Sequence, residues 1–369
     1  MEFRTDIPAG NAILDEISGN RIRFRPDLRD TSEPWFYWAF GLSGAAGQRL
    51  HFEISRPCNL ATRGPAMSLD GGLSWNWLGA ESLEGERGFH VDVPPDCPEI
   101  RLSVGMPYTG LDLDRALQPH RQNPRLRVQT LCESRGGRPV EMFTIPAGGD
   151  RVSGHLIVTA RHHACEMMAS YVLEGWLLDL VENSKEANFE THFVPFVDRD
   201  GVENGDQGKL RIPHDHNRDY LEPSIYPETA AIRQWILSRC GGQPFAVIDL
   251  HCPWIRGKHN DCLYIVGSRR EANAEAQRRL GHLIESHNDG PLPFAMEDYL
   301  PFGEAWNTGK NEAHLLSFSR WAECQPDNVL SASVEIPYDS ARGEEVNRTS
   351  ATAFGRILGR AIGTFLAEF

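Results

Sequence analysis

The sequence predicts an α/β protein in which an N-terminal antiparallel β-sandwich precedes a larger domain with a mixed, mostly buried β-sheet flanked by helices. Three observations support this class. The first 108 residues contain short period-two segments between turn signals, the later residues alternate strand-like and helix-like segments, and 369 residues suit two domains. We therefore expect one domain over residues 1–108 and a second over residues 109–369.

The N-terminal region is predicted to be all-β. Apolar residues alternate with polar ones in Leu50–Ile54 and Phe89–Val93, which is typical of strands with one buried face. Asp70-Gly71-Gly72 is a tight-turn signal within a hairpin. Regular strand spacing without helices indicates an antiparallel sandwich. The predicted strands are Ile22–Phe24, Trp35–Phe40, Leu50–Ile54, Met67–Trp77, Phe89–Val93 and Ile100–Val104.

Strands and helices alternate in the second region. A short linking helix is predicted at Leu111–Leu117, followed by a hairpin, and the closing helix carries apolar residues at helical spacing. This alternation favours a sheet covered on both faces. The predicted strands are Arg125–Cys132, Pro139–Ile145, His155–Ala160, Glu190–Val197, Phe245–Leu250 and Leu330–Ile336. The further predicted helices are Glu166–Val181, Glu228–Arg239, Arg269–Glu285 and Thr349–Leu366.

Charge and composition disfavour several classes of protein. The chain has 37 Lys+Arg against 51 Asp+Glu, a net charge of −14, so nucleic acid is a poor partner. No apolar stretch approaches the ~20 residues of a membrane span, and the N-terminus lacks a signal-peptide pattern. Eight cysteines without a C-x-x-C pair indicate reduced thiols. We expect a cytoplasmic protein without a membrane partner, and the oligomeric state stays open.

Polar residues follow the predicted strand His155–Ala160, at the end where open α/β sheets gather functional groups. Glu166 comes three residues after His163 and four after His162. An imidazole and a carboxylate at a strand-to-helix turn suit a zinc ion. On these residues alone either histidine is the candidate ligand, and a plain helix start with an acidic first turn is the alternative.

Two later strands add a third candidate ligand and a carboxylate. His251 ends the strand after Asp249, and with the first site it completes a His/Glu/His set. Alone, this histidine would be typical of a packed or surface residue. Glu335 interrupts an apolar strand, where an unpaired carboxylate is costly to bury. Beside zinc it is suited to proton transfer, and a structural salt bridge is the alternative.

A polar loop between these strands carries groups suited to binding a carboxylate. Arg218 offers a planar guanidinium and Asn217 an amide beside it, while Asp215 is placed to orient a ligand histidine. His214 and His216 lie in the same loop, but we do not favour a second metal site there. An ordinary polar loop is the alternative interpretation.

In this order the sites resemble the zinc metallocarboxypeptidases of the carboxypeptidase A type. That family has H-x-x-E after a strand, then an N-R pair, a third ligand histidine at a strand end and a late catalytic glutamate. The matching residues here are His163, Glu166, Asn217, Arg218, His251 and Glu335. The family spacing favours His163 over His162, and the resemblance covers roughly residues 109–369.

The cytosolic carboxypeptidase branch is the most similar one. Asp200-Gly201-Val202, Asp215-His216-Asn217-Arg218 and Asp249-Leu250-His251 resemble stretches of its catalytic domain. Trp35-Phe36-Tyr37 and Pro107-Tyr108-Thr109 resemble its N-terminal β-domain and the junction after it, as a looser match.

The resemblance implies a zinc-dependent carboxypeptidase that acts on the C-terminus of a peptide or protein. It implies one zinc ion per chain, held by His163, Glu166 and His251. Asp215 would orient His163, and Glu335 would take a proton from the zinc-activated water and pass it to the leaving amine. Arg218 and Asn217 would hold the terminal carboxylate of the substrate.

The sequence departs from the family at its transition-state arginine. Counting back from Arg218 to that position reaches Gly208, so Lys209 or Arg211 is predicted as the substitute cation for the oxyanion. The tyrosine that covers bound substrate has no identifiable counterpart, and the preferred C-terminal residue stays open. The predicted pocket-lining residues are Trp306, Asn307 and Lys310.

Two other functions remain open at this stage. The same fold and zinc site are similar to those of amidohydrolases of the aspartoacylase or succinylglutamate-hydrolase kind, which act on small acylated amino acids. The chain would otherwise be an inactive peptidase scaffold used for binding. The N-terminal β-domain is unexpected in the first case, and the full set of ligands plus Glu335 argues against the second.

Overall fold

The structure is a computed structural model that describes residues 1–56, 58–148, 152–183, 188–257, 259–310 and 315–369. Over this part of the chain it shows a mixed α/β fold, which confirms the predicted class. None of the described helices is both long enough and apolar enough to cross a membrane.

The N-terminal region forms two five-stranded sheets, ordered β1-β4-β10-β6-β7 and β2-β3-β5-β9-β8. The strands are β1 (Glu2–Arg4), β2 (Ile13–Ser18), β3 (Arg21–Arg25), β4 (Ala39–Ser43), β5 (Arg49–Ile54), β6 (Ala66–Ser68), β7 (Asn76–Trp77), β8 (Leu83–Glu84), β9 (Gly88–Asp92) and β10 (Glu99–Ser103). Aromatic rings fill the space between the sheets. Phe24 of β3 meets Phe40 of β4 edge-to-face with ring centroids 4.9 Å apart, and both rings are fully buried.

Two details of this region differ from the prediction. Strands β3 and β5 run parallel, with Ile22 opposite Phe52, so a wholly antiparallel arrangement is wrong. The chain visits the other sheet as β4 between them, which removes the constraint that a hairpin would impose on direction. The predicted strand over Trp35–Phe40 begins only at Ala39, because Phe36 turns away to pack edge-on against Trp254 at 5.0 Å.

The rest of the chain is built around a seven-stranded sheet ordered β11-β12-β14-β13-β15-β17-β16. Its elements are α1 (Gly110–Leu117), β11 (Arg127–Glu133), β12 (Pro139–Ile145), β13 (Gly154–Ala160), α2 (Met167–Asn183), β14 (Phe189–Val194), α3 (Arg199–Asn204), α4 (Pro227–Arg239), β15 (Phe245–His251), β16 (Tyr264–Val266), α5 (Glu271–His287), α6 (Phe318–Ala322), β17 (Asn328–Glu335), β18 (Ser340–Ala341), β19 (Glu344–Glu345) and α7 (Arg348–Leu366). Strands β14, β13, β15 and β17 are parallel, and the outer strands β11, β12 and β16 pair antiparallel.

The parallel strands explain why the candidate residues converge. Every residue of β13 and β15 is buried, as expected for a parallel sheet covered on both faces. The turn with His163 follows β13, while His251 and Glu335 are the last residues of β15 and β17 and lie opposite each other in the ladder. The predicted strands and helices of this region recur with shifts of a few residues at their ends.

Candidate active site

The centre of the site is a carboxylate held between two imidazoles. Glu166 is fully buried at the turn before α2, and its two oxygens lie 2.9 Å from Nδ1 of His163 and 2.8 Å from Nδ1 of His251. Candidate ligand atoms of the three residues all lie within 4.8 Å of one another. Two imidazole nitrogens and a carboxylate are a ligand set that suits a transition-metal ion.

A carboxylate also stands behind each of these histidines. Nε2 of His251 donates a hydrogen bond to Oδ2 of Asp249 at 2.6 Å, and Nε2 of His163 lies 3.6 Å from Oδ1 of Asp215. Burial acts to raise the pKa of both aspartates, but the neighbouring histidines outweigh it and hold each pKa well below its usual value. With an aspartate behind Nε2, each ring turns Nδ1 toward the centre, as in metal-ligating histidines.

Two ionisable side chains of opposite charge type, the Glu335 carboxyl and the Lys209 amine, lie beside this centre. Oε2 of Glu335 is buried and lacks a hydrogen-bond partner within the described part of the chain. Burial raises the pKa of Glu335 to about 7, which suits a group that takes up and releases a proton near neutral pH. Nζ of Lys209 lies 2.9 Å from Glu166. Burial acts to lower the pKa of Lys209, but the Glu166 and Glu335 carboxylates outweigh it and keep the amine protonated.

Lys209 reaches the centre because Gly208 precedes it. Gly208 has φ +72°, and a Cβ there would lie 2.1 Å from the backbone nitrogen of Ala164, too close for any side chain. The loop therefore touches the turn that carries His163 and Glu166. At the position where the resemblance would put an arginine, the backbone contact itself excludes a side chain, and the next residue supplies the cation.

The N-terminal region holds this loop in place. Asp30 accepts hydrogen bonds from the backbone nitrogens of Gln207 and Gly208 at 3.0 and 2.8 Å. The side chain of Gln207 accepts from the backbone nitrogen of Tyr37 and donates to its carbonyl, both at 2.8 Å. Trp35 adds a cation–π contact, with its ring centroid 5.5 Å from Nζ of Lys209. Residues far away in sequence thus position the cation.

Arg211 has a different environment from Lys209. Its guanidinium forms ion pairs with Asp30, Asp198 and Asp206 at 3.1, 2.8 and 3.0 Å. Three carboxylates already neutralise it, so its charge is committed to holding the loop. Of the two cations predicted from the sequence, Lys209 is the one in contact with the candidate metal ligands.

Two cavities meet at the centre. One has a volume of about 80 Å³ and the other about 710 Å³. Both are lined by His163, Lys209, Arg218, Trp306 and Glu335. The far wall of the small cavity is polar and includes Gln277, Ser317, Ser319, Arg320, Glu323, Ser331 and Ser333. The site is therefore a wide cleft that narrows to a small polar pocket.

Of the other predicted substrate-binding residues, some line the two cavities and one does not. Arg218 lies where the cavities join, and its Nη1 donates to the carbonyl of Asn217 at 2.7 Å. Oδ1 of Asn217 accepts from the backbone nitrogen of Phe318 at 3.0 Å, so part of its amide anchors α6. Trp306 lines both cavities and is half exposed. Lys310 is exposed and lines neither cavity.

Sequence reasoning missed the network behind the candidate metal ligands. His162 is fully buried, with Nδ1 2.8 Å from Oδ1 of Asp249 and Nε2 2.7 Å from the Tyr220 hydroxyl, so both ring nitrogens are engaged. Thr159 donates to the same Asp249 oxygen at 2.8 Å. The signal for Asp249 was available, because period two along a strand places it on the same face as His251.

The fold is that of bacterial metallo-carboxypeptidases. A metallo-carboxypeptidase from Burkholderia cenocepacia has a TM-score of 0.79 and 19% identity, and the match covers 100% of this chain and 99% of that chain. A metallo-carboxypeptidase from Pseudomonas aeruginosa in complex with (2-guanidinoethylmercapto)succinic acid has a TM-score of 0.73 and 18% identity, with 100% of each chain covered. At these identities the likeness establishes the fold.

The sequence relatives are cytosolic carboxypeptidases. Cytosolic carboxypeptidase 4 of Homo sapiens is 31% identical over 187 residues, which are 44% of this chain and 17% of the relative. Cytosolic carboxypeptidase 2 of Xenopus tropicalis is 29% identical over 202 residues, 49% of this chain and 20% of the relative. The chain thus spans a fifth or less of the length of these relatives. No protein-family model matches it. The resemblance to zinc metallocarboxypeptidases with cytosolic relatives is confirmed.

Proposed function

We propose that this chain is a zinc-dependent metallocarboxypeptidase that hydrolyses the C-terminal peptide bond of peptides or proteins. The observation that carries the proposal is the pair of carboxylate-backed histidines that direct Nδ1 at Glu166. His163, Glu166 and His251 would hold the ion, because two imidazoles and one carboxylate with an open fourth position are typical of catalytic zinc. When bound, zinc supplies the Lewis acidity that polarises the scissile carbonyl and lowers the pKa of water.

Glu335 and Lys209 supply the remaining chemistry. The buried, unpaired oxygen of Glu335 accepts a proton from the attacking water and then donates it to the departing amine. Lys209 provides the positive charge beside the carbonyl oxygen as negative charge develops there. The cation is held by the N-terminal region before substrate arrives, so little reorganisation accompanies the reaction.

The shape of the cleft supports removal of a single C-terminal residue. Arg218 lies at the junction of the two cavities, where its guanidinium can bind a terminal carboxylate in a bidentate manner. The cavity of about 80 Å³ has room for one side chain beyond that point, and the cavity of about 710 Å³ has room for the preceding residues. The larger cavity also favours a peptide over a small acylated amino acid.

The experiment uses the zinc-loaded protein and a panel of short peptides that differ only in the last residue. Each peptide is supplied as free acid and as C-terminal amide, and loss of the last residue is followed by mass spectrometry. We expect release from the free acids alone, abolished in Glu335→Gln. Cleavage of acyl-amino acids but not of peptides would instead support an amidohydrolase, and zinc binding without any hydrolysis would support an inactive scaffold.

We also propose that residues 1–108 and 109–369 are separate domains and that the protein acts in the cytoplasm. Separate sheets in the two regions support the division, and the cytosolic relatives support the location. Fluorescence microscopy of the tagged chain tests the location, and limited proteolysis tests the boundary.

A further inference from the structure

A second His/Glu/His cluster lies at the other end of the seven-stranded sheet. His155 is near the amino end of β13, and Glu190 and His192 are on the neighbouring parallel strand β14. His155 is opposite Glu190 in the ladder, and His192 lies two residues further along β14 on the same face. The candidate active site follows the carboxyl end of β13, so the two clusters are separated by the length of the strand.

The distances in this cluster match the edges of a tetrahedral metal site. Nδ1 of His155 lies 3.1 Å from Nε2 of His192. Oε2 of Glu190 lies 3.5 Å from Nε2 of His192 and 3.8 Å from Nδ1 of His155. Ligand bonds of about 2.0–2.1 Å in tetrahedral geometry place ligand atoms roughly 3.3 Å apart. A small adjustment therefore brings all three atoms into position around one ion.

Two of the three side chains are oriented by another group. The Thr144 hydroxyl lies 2.9 Å from Nδ1 of His192, which leaves Nε2 directed at the cluster. The guanidinium of Arg127 lies 3.7 Å from Oε1 of Glu190, while Oε2 faces the histidines. Such supporting contacts are typical of metal ligands. Burial lowers the pKa of both histidines, that of His192 to about 3.

The surroundings leave room for an ion and a water. A cavity of about 420 Å³ borders the cluster, and His155, Glu190 and His192 line it together. Trp235 of α4 packs against the histidines, with ring centroids 4.4 Å from His192 and 6.0 Å from His155. The cluster is thus shielded on one side and open to a cavity on the other, which gives a fourth ligand a place.

We infer that His155, Glu190 and His192 form a second metal site, which binds a divalent ion of the zinc type and joins β13 to β14. The inference does not depend on the proposed function, because none of these residues lines the candidate active site. Its competitor is a plain hydrogen bond between the two imidazoles, with no affinity for a metal.

Metal counting in a variant without the first site separates these possibilities. The metal-free His163→Ala protein is titrated with zinc chloride, and elemental mass spectrometry measures the bound zinc. In a parallel sample loaded with Co²⁺, the visible absorption spectrum reports whether coordination is tetrahedral. We expect one zinc per chain in this variant and two in the original protein. Adding Thr144→Val should weaken zinc binding about 10–100-fold, and adding His155→Gln at least as much.

The controls keep the result interpretable. His120→Gln removes a histidine that pairs with one carboxylate, Glu182, and should leave zinc binding unchanged. Glu190→Gln alters a partly exposed ligand and replaces His155→Gln if circular dichroism shows that the latter does not fold. Absence of zinc from His163→Ala, or unchanged affinity in both Glu190→Gln and Thr144→Val, would overturn the inference. Neither outcome depends on peptidase activity.

Discussion

The two ends of the seven-stranded sheet offer nearly the same donor atoms in different surroundings. At the carboxyl end, aspartates stand behind both histidines, Lys209 contacts the glutamate, and a cleft opens at Arg218. At the amino end, a hydroxyl stands behind one histidine, an arginine faces the glutamate, and Trp235 covers the rings. The difference teaches that two histidines and a glutamate select a kind of ion, whereas neighbouring charges and space decide whether hydrolysis can follow.

The largest expected effect tests whether catalysis belongs to the carboxyl end alone. Glu335→Gln keeps the size of the side chain but removes the proposed proton acceptor, so kcat/KM should fall about 10²–10⁴-fold. Steady-state kinetics on the best free-acid peptide measures the loss, and zinc analysis should show unchanged metal content. Near-normal activity in this variant would show that Glu335 is not what distinguishes the carboxyl end of the sheet as the catalytic one.

The cation beside the glutamate also differs between the two ends, since the side chain of Lys209 is 23% exposed and that of Arg127 is 65% exposed. Lys209→Met preserves the length of the side chain without its charge, and kcat should fall about 10²–10³-fold while KM changes little. Lys209→Arg should recover part of the rate. A loss expressed in KM alone would mean that Lys209 binds the ground state and does not stabilise the oxyanion.

Arg218 sharpens the comparison, because the proposed function assigns it the recognition of chain termini at one end only. Arg218→Ala should raise KM for free-acid peptides about 10–100-fold and should reduce their advantage over C-terminal amides. Arg121→Ala, which removes an exposed arginine paired with Asp114, is the matched control. If the preference for free acids survives in Arg218→Ala, another group recognises the carboxylate.

The smallest effect concerns the acidic support of the loop that carries Lys209. Burial and the nearby Asp30 raise the pKa of Asp206 to about 6, whereas an unfolded aspartate titrates near 4. Between about pH 4 and about pH 6, the folded state therefore binds a proton that the unfolded state has already lost. The stability contributed by Asp206 falls as pH rises through this range.

Asp206→Asn should remove this part of the pH dependence. The unfolding free energy of the variant minus that of the original protein should rise by about 1–2 kcal/mol between about pH 4 and about pH 6. This is less than the full effect of a two-unit pKa shift, because solvent screening weakens it. Urea denaturation at pH 4, 5, 6 and 7 measures the difference. A constant difference at all four values would show that Asp206 titrates normally.

The fold class was predictable because period two and helical spacing are local properties of the sequence. The buried strands β13 and β15 followed from their largely apolar segments, and the common direction of β13, β15 and β17 brings His163, His251 and Glu335 together. The parallel pairing of β3 and β5 was not predictable, because it depends on the path of β4 through the other sheet.

The site shows the same division between local and distant information. Candidate ligands were visible from spacing, and the choice between Lys209 and Arg211 was not. That choice depends on Asp30 and Trp35, which are more than a hundred residues earlier in the chain. The pairing of His155 with Glu190 and His192 was equally hidden, because it requires the register between two strands.

The docking of Gln207 and Gly208 onto Asp30 and Tyr37 also bears on synthesis of the chain. Residues 1–108 are synthesised well before the loop with Lys209, so Asp30 and Tyr37 are available when that loop emerges from the ribosome. Contact with these two residues can then select the conformation of the loop. A circular permutant that begins at residue 109 would reverse this order, and slower recovery of function than of secondary structure during its refolding would reveal the dependence.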